Sequence, residues 1–216
     1  MAERRKPGES RTLPQIGEKM KAYKRGLLGE QRLKKHAVLV PLVETPQGHT
    51  AVLFTKRAAV LRRQAGEICF PGGHWETSDE TEWHTALRET TEELQVPPES
   101  IRYLGDLDIL VAPSQMIVYP FVGQLAMPER IHPNPDEVEE YFCIELERLL
   151  AIDPDCYETL VKVEPLPDFP FHLIPNGREY AWRIGTLPQY FYEIDGRVIW
   201  GLTARILNHF LDVVRG

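Results

Sequence analysis

A stretch of 14 residues, 81–94, lacks both proline and glycine and lies between two turn signals, Pro71-Gly72-Gly73 and Pro97-Pro98. Residues suited to a buried core recur in this stretch every three or four positions, which places them on one narrow face of a helix. These positions are Trp83, Leu87, Thr90 and Leu94. Polar and acidic residues precede the stretch, where the positive end of a helix dipole favours negative charge. The pattern predicts a helix that packs on a core, with Ser78 or Asp79 as its N-cap.

Short β-branched runs surround this helix. Residues 37–44 and 51–57 read AVLVPLVE and AVLFTKR, and the Thr45-Pro46-Gln47-Gly48 between them is typical of a hairpin turn. Further predicted elements are strands at 101–104, 108–111, 117–125, 141–144, 178–183 and 190–194, and helices at 146–150 and 202–213. Residues 153–175, rich in Pro and Asp, predict a long connecting loop. Strands interrupted by a few helices predict an α/β or α+β fold with a mixed sheet.

Charge is distributed unevenly along the chain. Residues 1–36 contain 11 Lys and Arg against 4 Asp and Glu, whereas residues 37–216 contain 14 against 28. Such an acidic body disfavours a nucleic-acid partner, because binding to that backbone exchanges counterions for Lys and Arg. We therefore predict a basic N-terminal arm or helix over residues 1–35, dispensable for chemistry, and a folded domain over residues 36–216.

Several classes of protein are disfavoured. No apolar run approaches the roughly 18 residues of a membrane span, and the opening MAERRKPGES lacks the apolar segment of a secretory signal. The cysteines Cys69, Cys143 and Cys156 show no CxxC spacing, which argues against a disulfide framework and a thiolate zinc site. The sequence predicts a cytoplasmic protein with reduced thiols. It carries no signal for self-association, and a homodimer is left open.

Three glutamates give the predicted helix its chemistry. Glu89, Glu92 and Glu93 fall on one patch opposite the apolar face, where like charges repel and Arg88 alone cannot neutralise them. Hard divalent cations prefer carboxylate and carbonyl oxygens, and Mg²⁺ shares its remaining sites with substrate phosphates. The glycines of Pro71-Gly72-Gly73 would let a backbone carbonyl join them. The arrangement predicts metal-assisted phosphoryl or pyrophosphoryl chemistry, the alternative being a solvated acidic helix face.

Residues 73–96, GHWETSDETEWHTALRETTEELQV, resemble the Nudix box, G-x5-E-x7-R-E-U-x-E-E-x-G-U with U aliphatic. Residues 88–93 match its R-E-U-x-E-E centre. The box departs from the pattern by having Asp79 in place of glutamate, one extra residue before Arg88, Thr90 in place of the aliphatic, and Gln95 in place of glycine. Glycine adopts the left-handed backbone conformation after a helix most easily. Gln95 in its place therefore predicts a strained turn, or a different backbone path, at the end of the helix.

The residues just before the box resemble one subgroup of the Nudix family. Residues 53–73 are similar to the motif LLTxRS-x3-R-x3-G-x3-FPGG of the coenzyme A pyrophosphatase subgroup, with each spacing kept. The resemblance assigns Arg57, Arg62 and Gly66 to substrate binding, and guanidinium groups suit phosphate oxygens. Residues 199–204, IWGLTA, are also similar to that subgroup, although core packing is the favoured interpretation of them.

The resemblance implies a Nudix α/β/α sandwich, with a mixed sheet between helices, over residues 36–216. The implied reaction is hydrolysis of the diphosphate of coenzyme A or acyl-coenzyme A to 3′,5′-ADP and 4′-phosphopantetheine or its acyl derivative. Two alternatives are a Nudix pyrophosphatase acting on ADP-ribose, a dinucleotide or a nucleoside triphosphate, and a catalytically silent nucleotide-binding Nudix module. The two enzyme readings predict a small nucleotide-like substrate, whereas the silent module would bind a nucleotide or a protein partner.

The resemblance also implies roles for individual residues. Glu89, Glu92 and Glu93 with the Gly72 carbonyl would bind Mg²⁺ or Mn²⁺, and Arg88 would orient a carboxylate of the box. Asp79 would support the loop before the helix. A box glutamate could accept the proton of the attacking water, and so could Glu137 or Glu140 in the acidic run 136–140, whose alternative interpretation is a solvated edge.

Overall fold

The computed structural model describes residues 11–126 and 131–216. The chain divides into two units, with the boundary between Leu33 and Lys34. In the first unit, helix α1 spans Leu13–Ala22, with a proline in its first turn and Lys19 and Lys21 in its last, where the helix dipole favours positive charge. Residues 1–10 of the predicted arm lie outside the described residues. None of the helices in the described ranges is long and apolar enough to cross a membrane.

The second unit contains the remaining elements. Its helices are α2 (Glu82–Leu94), α3 (Leu146–Leu150) and α4 (Gly201–Arg215). Its strands are β1 (Lys34–Glu44), β2 (Thr50–Arg57), β3 (Ile68–Cys69), β4 (Gly72–His74), β5 (Ile101–Asp106), β6 (Leu110–Ala112), β7 (Met116–Leu125), β8 (Val138–Glu145), β9 (Asp155–Lys162), β10 (Ile184–Ile194) and β11 (Arg197–Ile199). The predicted hairpin, the short helix near 146–150 and the closing helix are confirmed.

Strand β1 is the centre of a mixed sheet. It pairs in parallel with β7, where His36 lies opposite Val118, and antiparallel with β2, where Leu42 lies opposite Val52. Strand β4 also pairs antiparallel with β1. Strands β3 and β8 pair with β2, and strands β5 and β6 pair with β7. The parallel pair between otherwise antiparallel neighbours makes the sheet mixed, as predicted.

Neighbouring residues of β1 point to opposite faces of the sheet, and each face carries its own core. Leu39 belongs to a buried cluster that includes Ala86 and Leu94 of α2. Val40 belongs to another, which includes Leu207 of α4. Helices therefore cover the two faces of the sheet, and the predicted α/β/α sandwich is confirmed.

The region 153–194 differs from the sequence prediction. Strand β9 lies within the predicted loop 153–175 and pairs antiparallel with β10, which in turn pairs with β11. Residues 178–183 do not form the predicted strand, because β10 begins only at Ile184. Most of β9 is exposed, so its sequence lacks the apolar alternation that marks a half-buried strand. Its pairing with β10, a distant segment, could not be predicted from its own residues.

Candidate active site

Two glycines allow strand β4 to approach its neighbours closely. Gly72 lies opposite Val38 of β1 with a φ of 148°, and a Cβ on it would lie 2.6 Å from the Val38 Cα. A Cβ on Gly73 would lie 2.6 Å from Oε1 of Glu89. Real Cβ atoms do not come this close to other atoms, so only glycine fits at position 72, and a side chain at position 73 would displace the Glu89 carboxylate. Pro71-Gly72-Gly73 therefore brings the backbone of β4 directly against helix α2.

Helix α2 begins later than the predicted caps. Its N-cap residue is Thr81, whose hydroxyl accepts a hydrogen bond from the His84 N–H over 3.2 Å. Threonine is a favoured N-cap because its side-chain oxygen satisfies an N–H that has no partner within the helix. The prediction of Ser78 or Asp79 as the cap was wrong. Asp79 instead turns inward and is buried.

Asp79 and Arg88 form an ion pair that anchors the start of α2. Nε and Nη2 of Arg88 donate to the two Asp79 carboxylate oxygens over 3.0 and 3.1 Å. Asp79 also accepts hydrogen bonds from the Glu76 N–H over 3.0 Å and the Thr85 hydroxyl over 2.9 Å. The hydrogen bonds from Arg88 hold the pKa of Asp79 well below its usual range. The carboxylate therefore stays charged and fixes the position of the guanidinium group.

Arg88 also contacts two of the helix glutamates. Its Nη1 lies 3.0 Å from Oε1 of Glu89 and 3.2 Å from Oε2 of Glu92. Its Nη2 donates to the His74 carbonyl over 3.0 Å. The planar guanidinium fork suits several oxygens at once. Arg88 thus links the loop before α2, strand β4 and the carboxylates of the helix.

The three helix glutamates lie near one another, as predicted from helix spacing, but they differ in exposure. The side chain of Glu92 is 55% exposed and that of Glu89 is 16% exposed, whereas Glu93 is buried. Residues four positions apart share a helix face, so Glu89 and Glu93 both turn toward β4 while Glu92 lies on the flank. The sequence could not show this, because the contacts come from a separate strand: Gly73 lies against Glu89, and the Gly72 backbone donates a hydrogen bond to Glu93.

Glu93 is a buried carboxylate with an unsatisfied oxygen. Burial, together with the charges of Glu89 and Glu137, raises its pKa to about 8, although Arg57 and a hydrogen bond from the Gly72 backbone oppose the shift. Burial also raises the pKa of Glu89. Oε2 of Glu93 has no hydrogen-bond partner among the described residues. Crowded carboxylates with raised pKa values would be stabilised by a bound cation.

The loop before β8 brings Glu137 to these carboxylates. The Asn134 N–H donates to the Glu93 carbonyl over 2.8 Å, and the Glu137 carbonyl accepts a hydrogen bond from the Ala58 N–H over 2.9 Å. The negative charge of Glu137 contributes to the raised pKa of both Glu89 and Glu93. Backbone hydrogen bonds thus hold a fourth carboxylate beside the two that face β4.

The other glutamates of the acidic run have partners elsewhere. Glu140 lies 3.5 Å from Nη2 of Arg197, and Glu139 accepts a hydrogen bond from the Lys56 ammonium over 2.6 Å. Strand β8 pairs with β2 here, so alternate residues of the run point to different sides. Of the two loop glutamates that the sequence left open, the structure brings Glu137 to the box.

The fit of this site to a metal ion is partial. No group of three or more His, Cys, Asp or Glu side chains in residues 11–126 and 131–216 is arranged to hold an ion. Two features nevertheless suit a divalent cation: the unpartnered oxygen of Glu93, and the negative charge that Glu89 and Glu137 add around it. Glu92 lies against Arg88 instead. The use of the Gly72 carbonyl as a ligand stays a prediction.

A cavity of about 610 Å³ lies over the two glycines, and we call it the glycine-side cavity. Arg57, Gly72 and Gly73 line it from the box side, and residues at the start of α4 line it from the other. Nε of Arg57 is buried and has no hydrogen-bond partner within the described part of the chain. A buried guanidinium N–H without a partner favours an anionic ligand. The cavity is the candidate substrate site.

The other two residues of the predicted substrate set lie elsewhere. Arg62 is exposed in the loop 58–67 and does not line the glycine-side cavity. Gly66 has a φ of 74°, and its N–H donates to the Arg57 carbonyl over 3.0 Å, which closes that loop. It lines a neighbouring cavity of about 770 Å³. The structure therefore brings Arg57 to the box and leaves Arg62 at the surface.

Two residues that line the glycine-side cavity were missed in the sequence, Trp200 and Arg205. Residues 199–204 were interpreted as core packing, yet Trp200 is 44% exposed. The Thr203 hydroxyl donates to the Ile68 carbonyl over 3.1 Å and holds the start of α4 against β3. Arg205, an arginine in the middle of the apolar closing helix, was the available signal, and it could be interpreted only once the cavity was known.

Comparison with known proteins agrees with this geometry. The family described as the NUDIX domain matches residues 33–161. A protein named "Uncharacterized Nudix hydrolase NudL" from Pectobacterium atrosepticum is 42% identical over 175 residues, which are 81% of this chain and 80% of that protein. A protein of the same name from Photorhabdus laumondii is 32% identical over 179 residues, 83% of this chain and 84% of that protein.

A solved structure, that of the Nudix hydrolase RenU from M. Smegmatis, aligns with a TM-score of 0.45 and 22% identity. The alignment covers 54% of this chain and 73% of that chain. The family assignment itself rests on the domain match and on the two relatives, which are similar over most of their length. The family prediction is thereby confirmed: the chain belongs to the Nudix hydrolase family.

Proposed function

We propose that this protein is a metal-dependent pyrophosphatase that hydrolyses the diphosphate of coenzyme A or acyl-coenzyme A. The products would be 3′,5′-ADP and 4′-phosphopantetheine or its acyl derivative. The supporting observation is that Arg57, from the motif similar to the coenzyme A subgroup, lines the same cavity as Gly72 and Gly73. Its charge acts on Glu93 of the box. A guanidinium group is thus held where a diphosphate would approach the carboxylates.

Nudix hydrolases generally use divalent metal ions. In this chain, Glu89, Glu92 and Glu93 with the Gly72 carbonyl would hold Mg²⁺ or Mn²⁺, because hard cations take carboxylate and carbonyl oxygens. When bound, the ion supplies charge neutralisation of the diphosphate and a lower pKa for the attacking water. A cation would also give Oε2 of Glu93 the partner that it lacks among the described residues.

The side chains of the site supply positioning and a proton acceptor. Arg88, fixed by Asp79, positions Glu89 through a contact of 3.0 Å. Arg57 binds oxygens of the diphosphate. Glu137 is the proposed general base, because the backbone of its loop is hydrogen-bonded to α2 and its own side chain is only partly buried. No covalent intermediate with the chain is required.

The test is hydrolysis of coenzyme A beside ADP-ribose, NADH and a set of deoxynucleoside triphosphates, first with Mg²⁺ and then with Mn²⁺. Products are identified by mass. Cleavage of coenzyme A at its diphosphate, in preference to the other compounds, supports the proposal. Preferential hydrolysis of another compound would overturn the coenzyme A assignment. No turnover of any compound would favour the catalytically silent module.

Two variants separate chemistry from recognition. Glu93→Gln removes a carboxylate of the box and should abolish metal-dependent turnover of every substrate. Arg57→Ala should raise the KM of anionic substrates while the fold persists. Arg148→Ala is the matched control, because its guanidinium is 50% exposed and pairs with Asp195 away from the glycine-side cavity. Equal losses in Arg57→Ala and Arg148→Ala would exclude a role for Arg57 in binding.

A further inference from the structure

Arg205 lines the glycine-side cavity and has one guanidinium nitrogen without a hydrogen-bond partner among the described residues. That nitrogen, Nη1, is buried. The cavity is the one that Gly72 and Gly73 border. Burying an N–H of a charged group without a partner costs free energy, and an anion placed in the cavity would recover it. The feature has no role in the function proposed so far.

The local charge of the cavity also favours an anion. The chain as a whole carries a formal net charge of −7. The glycine-side cavity, by contrast, is lined by the two arginines Arg57 and Arg205, and Glu67 is the single acidic residue among the described residues that line it. Glu67 already accepts a hydrogen bond from the Gln64 side chain over 3.1 Å. The cavity is therefore a locally cationic site in an acidic protein.

The two arginines enter the cavity from different sides. Arg57 ends strand β2, and its charge lowers the pKa of Glu93, which places it near the box. Arg205 lies on α4, which packs on the opposite face of the sheet from the helix that carries the box glutamates. Arg57 and Arg205 thus reach the cavity from separate elements, β2 and α4, so that each can hold its own anionic group.

We infer that Arg205 binds a second phosphate of the substrate, separate from the diphosphate that is hydrolysed. The inference rests on the proposed function, because in coenzyme A this second group is the 3′-phosphate of the adenosine. It makes Arg205 the residue that distinguishes a nucleotide with an additional phosphate from one that carries the diphosphate alone. A cavity of about 610 Å³ has room for a ligand of nucleotide size.

Binding of two products tests the inference without turnover. Calorimetry with Mg²⁺ compares 3′,5′-ADP with 5′-AMP, which lacks the second phosphate. We expect the unaltered protein to bind 3′,5′-ADP about 10-fold or more tightly than 5′-AMP, in line with the strength of a charge-assisted hydrogen bond. Arg205→Gln should reduce this preference to about 2-fold or less, and Arg205→Lys should keep part of it. Equal binding of the two nucleotides, or an undiminished preference in Arg205→Gln, would overturn the inference.

The matched control is Arg215→Gln on the same helix. Arg215 pairs with Asp212 and does not line the glycine-side cavity, so this variant changes the charge equally and should keep the preference. If Arg205→Gln does not fold, thermal unfolding of the unaltered protein still tests for a second phosphate site. 3′,5′-ADP should raise its Tm more than 5′-AMP at equal concentration, and equal shifts would contradict a second phosphate site.

Hydrolysis separates this inference from the proposed function. Arg205→Gln should raise the KM for coenzyme A about 10-fold and raise the KM for coenzyme A lacking its 3′-phosphate much less. If coenzyme A is not hydrolysed but the preference for 3′,5′-ADP requires Arg205, the substrate proposal fails and the phosphate site stands. If coenzyme A is hydrolysed with no benefit from its 3′-phosphate, the substrate proposal stands and the role of Arg205 falls.

Discussion

Arg88 and Arg57 both act on the carboxylates of α2, but their guanidinium groups differ in how fully they are paired. Arg88 contacts Asp79, Glu89 and Glu92 and donates to a backbone carbonyl. Arg57 has a buried Nε without a partner among the described residues, and it lines a cavity. The first guanidinium needs no ligand, whereas the second is complete only when an anion is present. The difference in pairing therefore distinguishes Arg88, which positions the carboxylates of the site, from Arg57, which would bind the substrate.

The buried carboxylates Asp79 and Glu93 also differ in how fully they are paired. Asp79 is buried with hydrogen bonds from three residues, so its charge is stabilised within the fold. Glu93 is equally buried, yet one of its oxygens lacks a partner and its pKa is raised to about 8. Buried unpaired charge is unfavourable, and it persists in proteins mainly where function requires it. Asp79 and Glu93 should therefore respond oppositely to neutral substitutions.

The largest effect is expected for Glu93→Gln. Turnover should fall by about 10³-fold, because the variant loses a carboxylate of the proposed metal site while keeping its shape. Stability of the metal-free protein at pH 7 should not fall, since the raised pKa of about 8 already leaves the Glu93 carboxyl mostly neutral, and Gln is a neutral group of similar shape. Steady-state kinetics and urea unfolding measure the two quantities. Turnover within 10-fold of the unaltered protein would show that Glu93 is a structural residue like Asp79.

A pair of arginine variants tests the comparison directly. Arg88→Gln should lower the free energy of unfolding by about 3 kcal/mol, because it leaves Asp79 buried without its ion partner. Arg57→Gln should lower it by only about 1 kcal/mol, because the variant loses a hydrogen bond with Cys69 and the attraction to Glu93 but no ion pair as fully hydrogen-bonded as that of Arg88. Urea unfolding of the two variants side by side gives the difference. Equal destabilisation would remove the distinction drawn between the two arginines.

A fall in pH should reduce the stability that the ion pair of Asp79 with Arg88 contributes to the fold. The pKa of Asp79 in the folded state lies below its unfolded value of about 3.9, so its contribution to stability is fully present above that value. The contribution is lost as the pH falls toward the folded pKa. Asp79→Asn should therefore be less stable than the unaltered protein at pH 6, and the gap should narrow below pH 4. A gap that stayed constant with pH would mean that Asp79 acts through packing rather than charge.

Substrate affinity is the complementary readout for Arg57. Arg57→Gln should raise the KM for coenzyme A about 10-fold, because one charge-assisted contact to the diphosphate is lost. Arg62→Gln, which alters the exposed arginine of the same motif, should change KM less. A larger effect at Arg62 would show that the loop 58–67 closes over the substrate, contrary to its position in this structure.

Local signals in the sequence were enough for the box helix, the first hairpin and the sandwich, because each follows from periodicity, turn residues or the box motif. They failed where a partner is distant in the chain. Glu93 receives a hydrogen bond from the backbone of Gly72 on a separate strand, and strand β9 depends on its pairing with β10. Arg205 became recognisable only when α4 and the box were seen to border one cavity.

The smallest expected effect concerns the end of α2, where the box pattern expects glycine. Gln95 occupies this position in the left-handed conformation, with φ 51° and ψ 46°, so the chain keeps the glycine-type exit and bears the strain of a Cβ. Gln95→Gly should raise the free energy of unfolding by about 0.5–1 kcal/mol, the relief of strain exceeding the greater flexibility of glycine in the unfolded chain. Because Gln95 is exposed and contacts neither arginine in the described structure, KM should not change. A loss of stability on urea unfolding would mean that the Gln95 side chain, rather than its backbone conformation, supports the helix end.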